Sequence, residues 1–281
     1  MKIQVSELIV RYLERLGIEY IFGMPGAHIL PVYDSLYHSG VKSVLAKHEQ
    51  GAAFMACGYA RASGGLSACI TTAGPGATNL VTGIASAYVD KQPVLVITGE
   101  TSTHVFGKGG LQESSGEGGS IDQGLLFQGI TRYHKVVERT DYLANVLNQA
   151  SKALFAASPG PVLLSFPFNV QKELVDEAVL DHVLTAKPEY ILGGNVQSIN
   201  ALTNMILEAR NPVIVAGYGC IQSGAQALVS ELSDALNIPV TTSMKGKGVI
   251  SEKSALSLGS LGVTSTGYAY RYICLLYTSD A

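Results

Sequence analysis

The chain of 281 residues has no tryptophan, only four cysteines and no long apolar run. Because the cysteines are scattered and no Cys-x-x-Cys pair occurs, the sequence favours neither a zinc site nor a disulfide framework. No apolar run approaches the roughly 20 residues that a membrane-spanning helix needs. The N-terminus also lacks the apolar segment of a signal peptide. These absences predict a cytoplasmic protein with no membrane partner.

The chain also has no strong excess of charge. It contains 19 Lys and Arg against 22 Asp and Glu, a formal net charge of −3, and the absence of a basic patch argues against nucleic acid as the main partner. Neither a Gly-x-Gly-x-x-Gly fingerprint nor a P-loop is present, which argues against a nucleotide-binding dehydrogenase. The length is suited to about two domains.

Short apolar runs alternate with helical patterns along most of the chain. Val5–Leu16 has the apolar spacing of an amphipathic helix, and the continuous apolar run Pro93–Gly99 is typical of a buried parallel strand. This alternation predicts an α/β fold with a doubly wound parallel sheet over residues 1–170. We further predict a linker at 171–190 and part of a second, Rossmann-like α/β domain at 191–272.

The stretch Ser43–Arg61 carries the first candidate for chemistry. It begins as a short apolar run, predicted as a buried strand, turns at Lys47 and His48, and continues with helical spacing from Glu49 onward. A strand-to-helix turn in an open α/β sheet lies at the carboxyl end of the sheet, where ligands bind. Glu49 can equally be an ordinary helix-start acid, stabilised by the amides and dipole of the first turn.

Two glycine-containing turns follow other predicted strands, at Gly23–Gly26 and Gly74–Gly76. Glycine lets the backbone approach a ligand closely, and the exposed amides at a helix start suit a polar ligand. Turn geometry alone also explains these glycines, and Thr78 and Asn79 can be capping groups.

Three ordered blocks together resemble a known family. Lys47–Arg61, with the sequence KHEQGAAFMACGYAR, resembles the signature of the pyrimidine-binding domain in thiamine-diphosphate enzymes. Phe22–Gly26 before it and Thr72–Asn79 after it match the same family at similar spacing. The resemblance is greatest to the large subunit of acetolactate synthases, also called acetohydroxyacid synthases, and it runs from Val5 to about Gly262.

The resemblance implies an enzyme that decarboxylates a 2-oxo acid such as pyruvate and transfers the two-carbon unit to a second 2-oxo acid, in branched-chain amino acid or acetoin-type metabolism. Glu49 is then the catalytic residue. It is expected to hydrogen-bond the N1′ atom of the aminopyrimidine of thiamine diphosphate and to exchange a proton there, which requires a carboxylate rather than an amide. The resemblance assigns the cofactor contacts to Gly23, Pro25, Gly26, Glu49, Thr72, Gly74, Pro75, Gly76 and Asn79.

Residues Glu100–Ser120 depart from the family pattern by a longer, glycine-rich insert, and this composition predicts a mobile surface loop. Phe127 and Gln128 follow the insert and resemble a Phe-Gln pair of the family. The resemblance implies that Gln128 lies on the substrate side of the site. Its residue type alone indicates no more than an exposed polar residue on a loop.

The remaining cofactors implied by the resemblance depend on segments that this chain lacks. In the family, a third domain with a Gly-Asp-Gly motif binds Mg²⁺ and the diphosphate, and no such motif occurs here, so we predict no metal ligand in the chain. The central domain of acetolactate synthases holds a structural FAD. The pair Gly217 and Gly219 is too little to predict FAD, which stays open.

We expect the chain to be an N-terminal fragment, with residues 273–281 as a non-native tail. The resemblance implies a homo-oligomer, dimer or tetramer, with a regulatory subunit as a further candidate partner. Another thiamine-diphosphate decarboxylase or carboligase remains an alternative, because the residues that choose the acceptor lie outside the chain. A non-catalytic fragment remains a second alternative, because half of the cofactor site is missing.

Overall fold

A computed structural model describes residues 1–186, 193–263 and 265–278. The chain forms two compact units, Met1–Glu189 and Tyr190–Ala281, and each is described by itself. In these described ranges, no helix has both the length and the apolar character needed to cross a membrane.

The first unit alternates strands and helices almost from its first residue. Its strands are β1 Lys2–Gln4, β2 Tyr20–Gly23, β3 Lys42–Leu45, β4 Ser67–Thr71, β5 Val94–Glu100, β6 Tyr133–Val136, β7 Val162–Pro167 and β8 Leu174–Asp176. Its α-helices are α1 Val5–Arg15, α2 Leu30–Tyr37, α3 Glu49–Ser63, α4 Pro75–Thr78, α5 Val81–Val89, α6 Gln123–Gln128, α7 Leu143–Leu154 and α8 Phe168–Gln171. Short 3₁₀ turns lie at Thr103–Val105 and Glu177–His182.

Six of these strands form one sheet in the order β3-β2-β4-β5-β7-β6, and every neighbouring pair is parallel. Helices α1, α2 and α7 contribute to the apolar core on one face, and α3 and α5 to the core on the other. The predicted doubly wound parallel sheet is therefore confirmed. The two faces are covered because every residue of β4, β5 and β7 is buried and most of them are apolar, so these strands need helices on both sides.

The strand before Glu49 differs from the prediction. We expected a buried strand, but β3 lies at the edge of the sheet and most of its residues are exposed. The side chain of Leu45 is 66% exposed. An edge strand has one neighbour instead of two, so an apolar run there gains less burial than the same run in the sheet centre.

The end of the first unit also differs from the prediction. Residues 171–190 were predicted as a linker, but β8 pairs antiparallel with β1, and Val175 is buried opposite Ile3. The α-amino group of Met1 lies 3.5 Å from the Asp176 carboxylate. The described part of the predicted linker, residues 171–186, therefore belongs to the first unit, and its positions 187–190 lie outside the described residues.

The second unit is a smaller α/β arrangement, as predicted. It contains α9 Val196–Glu208, β9 Ile214–Ala216, α10 Tyr218–Gln222, α11 Gln226–Leu236, β10 Val240–Thr242, β11 Ser257–Ser260 and α12 Gly267–Thr278. The three strands are parallel in the order β11-β10-β9. Residues 273–278 of the predicted tail continue α12, while 279–281 lie outside the described residues.

Candidate functional site

The connections that follow β2, β3, β4 and β5 all leave the carboxyl edge of the six-stranded sheet. The register aligns Gly23 at the end of β2 with Leu45 of β3 and Ile70 of β4, and Thr71 of β4 with Thr98 of β5. The turns that carry the predicted site residues therefore start at one level of one sheet edge. This edge is where an open α/β sheet binds ligands.

Glu49 is the first residue of α3 and is half-buried. The helix begins here because His48, in extended backbone conformation, caps it: its Nδ1 atom accepts a hydrogen bond from the Gln50 amide at 3.1 Å. Glu49 Oε2 accepts a hydrogen bond from Asn79 Nδ2 at 3.0 Å. Two residues that the sequence assigned to the site are thus in direct contact, across the turns after β3 and β4.

Gly76 lies between Glu49 and the end of β4. A Cβ atom added to Gly76 would stand 2.5 Å from Thr71 Oγ1 and 3.5 Å from Glu49 Oε1, so a side chain there would displace its neighbours. Gly74, just before α4, has a φ of 57°, which favours glycine. Pro75 occupies the first position of α4, where its fixed φ suits the helix start. The turn thus keeps its backbone close to the Glu49 carboxylate.

The turn after β2 packs against the turn after β4 through Thr72. Thr72 Oγ1 accepts the His28 amide N–H at 3.3 Å, and a Cβ on Gly26 would fall 2.5 Å from Thr72 Cβ. Pro25 is exposed at the same turn, and Gly23 is buried against Ile70. All nine predicted cofactor-side residues therefore lie on three neighbouring turns of one sheet edge.

The glycine-rich segment brings a residue to this edge that the sequence reasoning missed. Gln112 Oε1 accepts a hydrogen bond from Thr72 Oγ1 at 3.2 Å, and its carbonyl oxygen lies 2.8 Å from a Cβ built on Gly74. The neighbouring Leu111 carbonyl oxygen is 2.8 Å from His28 Nε2. The glycine-rich sequence around Gln112 has no periodicity that would have located it at this edge.

Gln128, predicted on the substrate side, is the last residue of α6, and its side chain is exposed. The described hydrogen bonds join Gln112, not Gln128, to Thr72. The earlier glutamine of α6, Gln123, is fully buried and donates to Thr98 Oγ1 at 2.7 Å.

A second carboxylate is buried below the same edge. Glu100, the last residue of β5, has no exposed surface. Burial raises the pKa of the Glu100 carboxyl, and the hydrogen bonds from Ser114 and Thr101 and the nearby His28 oppose that rise. Within residues 1–186, 193–263 and 265–278, no group of three or more His, Cys, Asp or Glu side chains is placed to hold a metal ion.

Two family profiles match the chain. Residues 3–118 match the profile described as "Thiamine pyrophosphate enzyme, N-terminal TPP binding domain". Residues 199–274 match "Thiamine pyrophosphate enzyme, central domain". The first match contains all the predicted cofactor-side residues and Gln112. The second runs past Gly262, where we expected the resemblance to fade, and two residues into the predicted tail.

Curated relatives match almost the whole chain. A "Probable acetolactate synthase large subunit" of Methanococcus aeolicus is 38% identical over 266 residues, covering 93% of this chain and 43% of that protein. The protein of the same name from Methanocaldococcus jannaschii is 38% identical, with 93% and 44% covered. An "Acetolactate synthase" of Arthrospira platensis is 38% identical, with 92% and 45% covered. The chain spans less than half the length of these relatives.

Proposed function

Because the chain belongs to the thiamine pyrophosphate enzymes, we propose that its first unit binds the aminopyrimidine end of thiamine diphosphate, with Glu49 as the catalytic residue. We further propose that the chain is the N-terminal part of an acetolactate synthase-like enzyme. Such an enzyme decarboxylates pyruvate or a similar 2-oxo acid and transfers the two-carbon unit to a second 2-oxo acid. The names of its relatives support this reaction.

The observation that carries the proposal is the contact between Glu49 and Asn79 beside Gly76. Asn79 fixes Oε2 of the carboxylate at 3.0 Å, and Oε1 remains 3.5 Å from the Cβ position of Gly76. A flat heterocycle needs one directed polar partner and a stretch of backbone without side chains beside it. The Glu49 carboxylate is such a partner, and the turn at Gly76 is such a stretch. The Glu49 carboxylate and the bare backbone at Gly76 therefore fit the aminopyrimidine end of the cofactor.

When bound, thiamine diphosphate supplies the electron sink that decarboxylation of a 2-oxo acid requires. In the proposed mechanism, Glu49 hydrogen-bonds the ring nitrogen N1′ and exchanges a proton with it. Asn79 keeps the carboxylate oriented at the start of α3. Thr72 and Gln112 keep the adjoining turns together through their hydrogen bond.

We assign Mg²⁺ and the diphosphate to the third domain that the family resemblance implies. Binding of FAD by the second unit, assembly as a homodimer or tetramer with a regulatory subunit, a cytoplasmic location and a role in branched-chain amino acid biosynthesis belong to the same proposal. They are supported by the family resemblance alone. Another 2-oxo acid decarboxylase or carboligase remains the second candidate, because the two family profiles name the cofactor and no acceptor.

The test is Glu49→Gln in the full-length protein that carries this chain. We expect cofactor binding to stay within about tenfold and turnover of pyruvate to fall by about two orders of magnitude or more, the range for a lost general acid or base. Glu138→Gln, at an exposed carboxylate, is the matched control. Near-normal turnover of the Glu49 variant would remove Glu49 from the mechanism, and a wild-type protein that does not bind thiamine diphosphate would refute the proposed function.

A further inference from the structure

The position of Gln112 needs a physical cause. Gln112 lies in a segment in which Gly107, Gly109, Gly116, Gly118 and Gly119 all have positive φ, and its own φ is 55°. A chain of this composition has many accessible backbone conformations, so ordering it is entropically costly. Contacts outside the glycines must therefore select the path that brings Gln112 to Thr72.

Glu100 supplies such contacts from the end of β5. Its Oε1 atom accepts the amide N–H groups of Thr101 at 2.8 Å and Ser114 at 3.1 Å, and its Oε2 atom accepts the Ser114 hydroxyl. The carboxylate is fully buried, and Ser114 is 1% exposed. Hydrogen bonds to a buried charged group are stronger than average, and leaving the group without them is costly.

The contacts of Ser114 extend to the helix after the loop. The Ser114 carbonyl oxygen accepts the Gln123 amide N–H at 3.0 Å, and the Gln123 side chain donates to Thr98 Oγ1 at 2.7 Å. Thr98 and Glu100 lie on the same strand. Ser114 is thus held directly by Glu100 at the end of β5, and it is also held through Gln123 by Thr98 of the same strand.

A second carboxylate closes the loop on itself. Glu113 accepts the amide N–H groups of Gly107 at 2.5 Å and Gly110 at 3.0 Å, and the hydroxyl of Ser115 at 2.7 Å. Gln112 immediately precedes Glu113 and Ser114, the two residues that these hydrogen bonds hold in place. Its backbone is therefore set by Glu113 within the loop and by Glu100 from the sheet.

We propose that Glu100 is a positioning residue of the site: its buried carboxylate fixes Ser114 and thereby holds Gln112 against Thr72. Glu100 does not touch the ligand and acts through the loop. Its consequence for cofactor binding rests on the proposed function, whereas its effect on the loop does not. In the protein without cofactor, the hydrogen bonds of Glu100 set how often the loop is closed.

Limited trypsin cleavage after Lys108, which is exposed in the loop, measures the loop directly in the 281-residue chain. When opening is fast relative to cleavage, the cleavage rate follows the population of the open loop. We expect Glu100→Ala to raise the rate about tenfold, as the loss of buried hydrogen bonds implies. Glu100→Gln keeps an oxygen that can accept both amides, so we expect a rate within about twofold of wild type. Glu117→Ala, at an exposed loop carboxylate, is the control and stays at the wild-type rate.

Ser114→Ala keeps the experiment decisive if Glu100→Ala does not fold. It removes the hydroxyl that donates to Glu100 Oε2 and that also lies 3.2 Å from Gln123 Oε1, and we expect an increase of about threefold in the cleavage rate. An unchanged rate in the Ser114 variant together with an unchanged rate or absent folding in the Glu100→Ala variant would overturn the proposal. So would a Glu100→Gln variant that is cleaved as fast as Glu100→Ala.

The link to Gln112 is tested by a double-mutant cycle in the full-length protein, with the dissociation constant of thiamine diphosphate as the readout. We expect Glu100→Ala to weaken binding about fivefold when Gln112 is present and to have no further effect in a Gln112→Ala background. An equal effect in both backgrounds would show a general structural role. If the wild type does not bind the cofactor, the proposed function fails, while the cleavage rates still decide the role of Glu100.

Discussion

The Glu49 carboxylate and the Asn79 amide are 30 residues apart in sequence and 3.0 Å apart in space. The contact joins the start of α3 to the end of α4, two helices that follow different strands of the sheet. It fixes one carboxylate oxygen and leaves the other at the Gly76 turn. A carboxylate held in this way loses little further rotamer freedom when a ligand binds, which lowers the entropic cost of binding.

We expect Asn79→Ala to lower turnover of the full-length protein about threefold to tenfold, because an exposed hydrogen bond to a charged group is lost. The dissociation constant of the cofactor should change less than turnover, since the carboxylate itself is retained. Thr78→Ala removes a neighbouring hydroxyl that donates to the Pro75 carbonyl and serves as control. Equal losses in the two variants would mean that the Asn79 contact has no special role.

The 281-residue chain alone should bind thiamine diphosphate with a dissociation constant no tighter than about 1 mM, or roughly 4 kcal/mol. The proposed function assigns Mg²⁺ and the diphosphate to a further domain of the family, so in this chain Glu49 and the adjoining turns must offset the cost of association by themselves. Titration calorimetry with thiamine diphosphate and Mg²⁺ measures this. Micromolar binding would mean that the cofactor site is placed wrongly.

Thr71 and Thr98 are paired in register on β4 and β5, and both are fully buried. The Thr71 hydroxyl has no hydrogen-bond partner among the described residues, whereas Thr98 accepts from Gln123. Thr71→Val should therefore stabilise the protein by about 1 kcal/mol, and Thr98→Val should destabilise it by about 1 kcal/mol or more. Denaturant unfolding measures both. A loss of stability in the Thr71 variant would show that the hydroxyl has a water or ligand partner.

The raised pKa of Glu100 predicts a pH dependence of stability. An acid whose pKa is raised by burial binds more protons when folded, so its contribution to the free energy of unfolding is largest below the unfolded pKa of about 4.3 and declines as pH rises toward the folded pKa. Glu100→Gln has no such titration. We expect this variant to gain stability relative to wild type as the pH rises above the unfolded pKa of about 4.3.

Urea unfolding of Glu100→Gln and of the exposed control Glu117→Gln at several pH values checks this. A constant difference between Glu100→Gln and wild type across the range would contradict the raised pKa. Parallel behaviour of the Glu117 variant would assign the trend to the overall charge of the protein instead of to Glu100.

The parts of the site that the sequence predicted are those set by local pattern. The change from strand spacing to helix spacing at His48 and Glu49 locates α3, and the glycines locate the turns around Thr72. Gln112 escaped prediction because its position depends on contacts between Glu100 and Ser114, which are 14 residues apart and separated by a glycine-rich loop. No periodicity in such a segment records which carboxylate will hold it.

Strand β8 was also missed because its position depends on a contact that is distant in sequence. Its three residues are too few to give a strand pattern, and their partner strand is about 170 residues away in the chain. The exposure of β3 was missed because an apolar run indicates a strand without indicating how many neighbours it has. Strand order, and therefore the edge position of β3, is a property of the assembled sheet.

The pairing of β1 with β8 has a consequence for the connectivity of the first unit. The Met1 carbonyl oxygen accepts the Glu177 amide N–H at 2.9 Å, so the beginning of this unit lies beside a segment close to its end. A short linker could join them covalently at little entropic cost, and new ends could then be opened in an exposed loop. The doubly wound sheet is therefore a natural candidate for circular permutation, in which the order of its elements along the chain changes while their arrangement in space is kept.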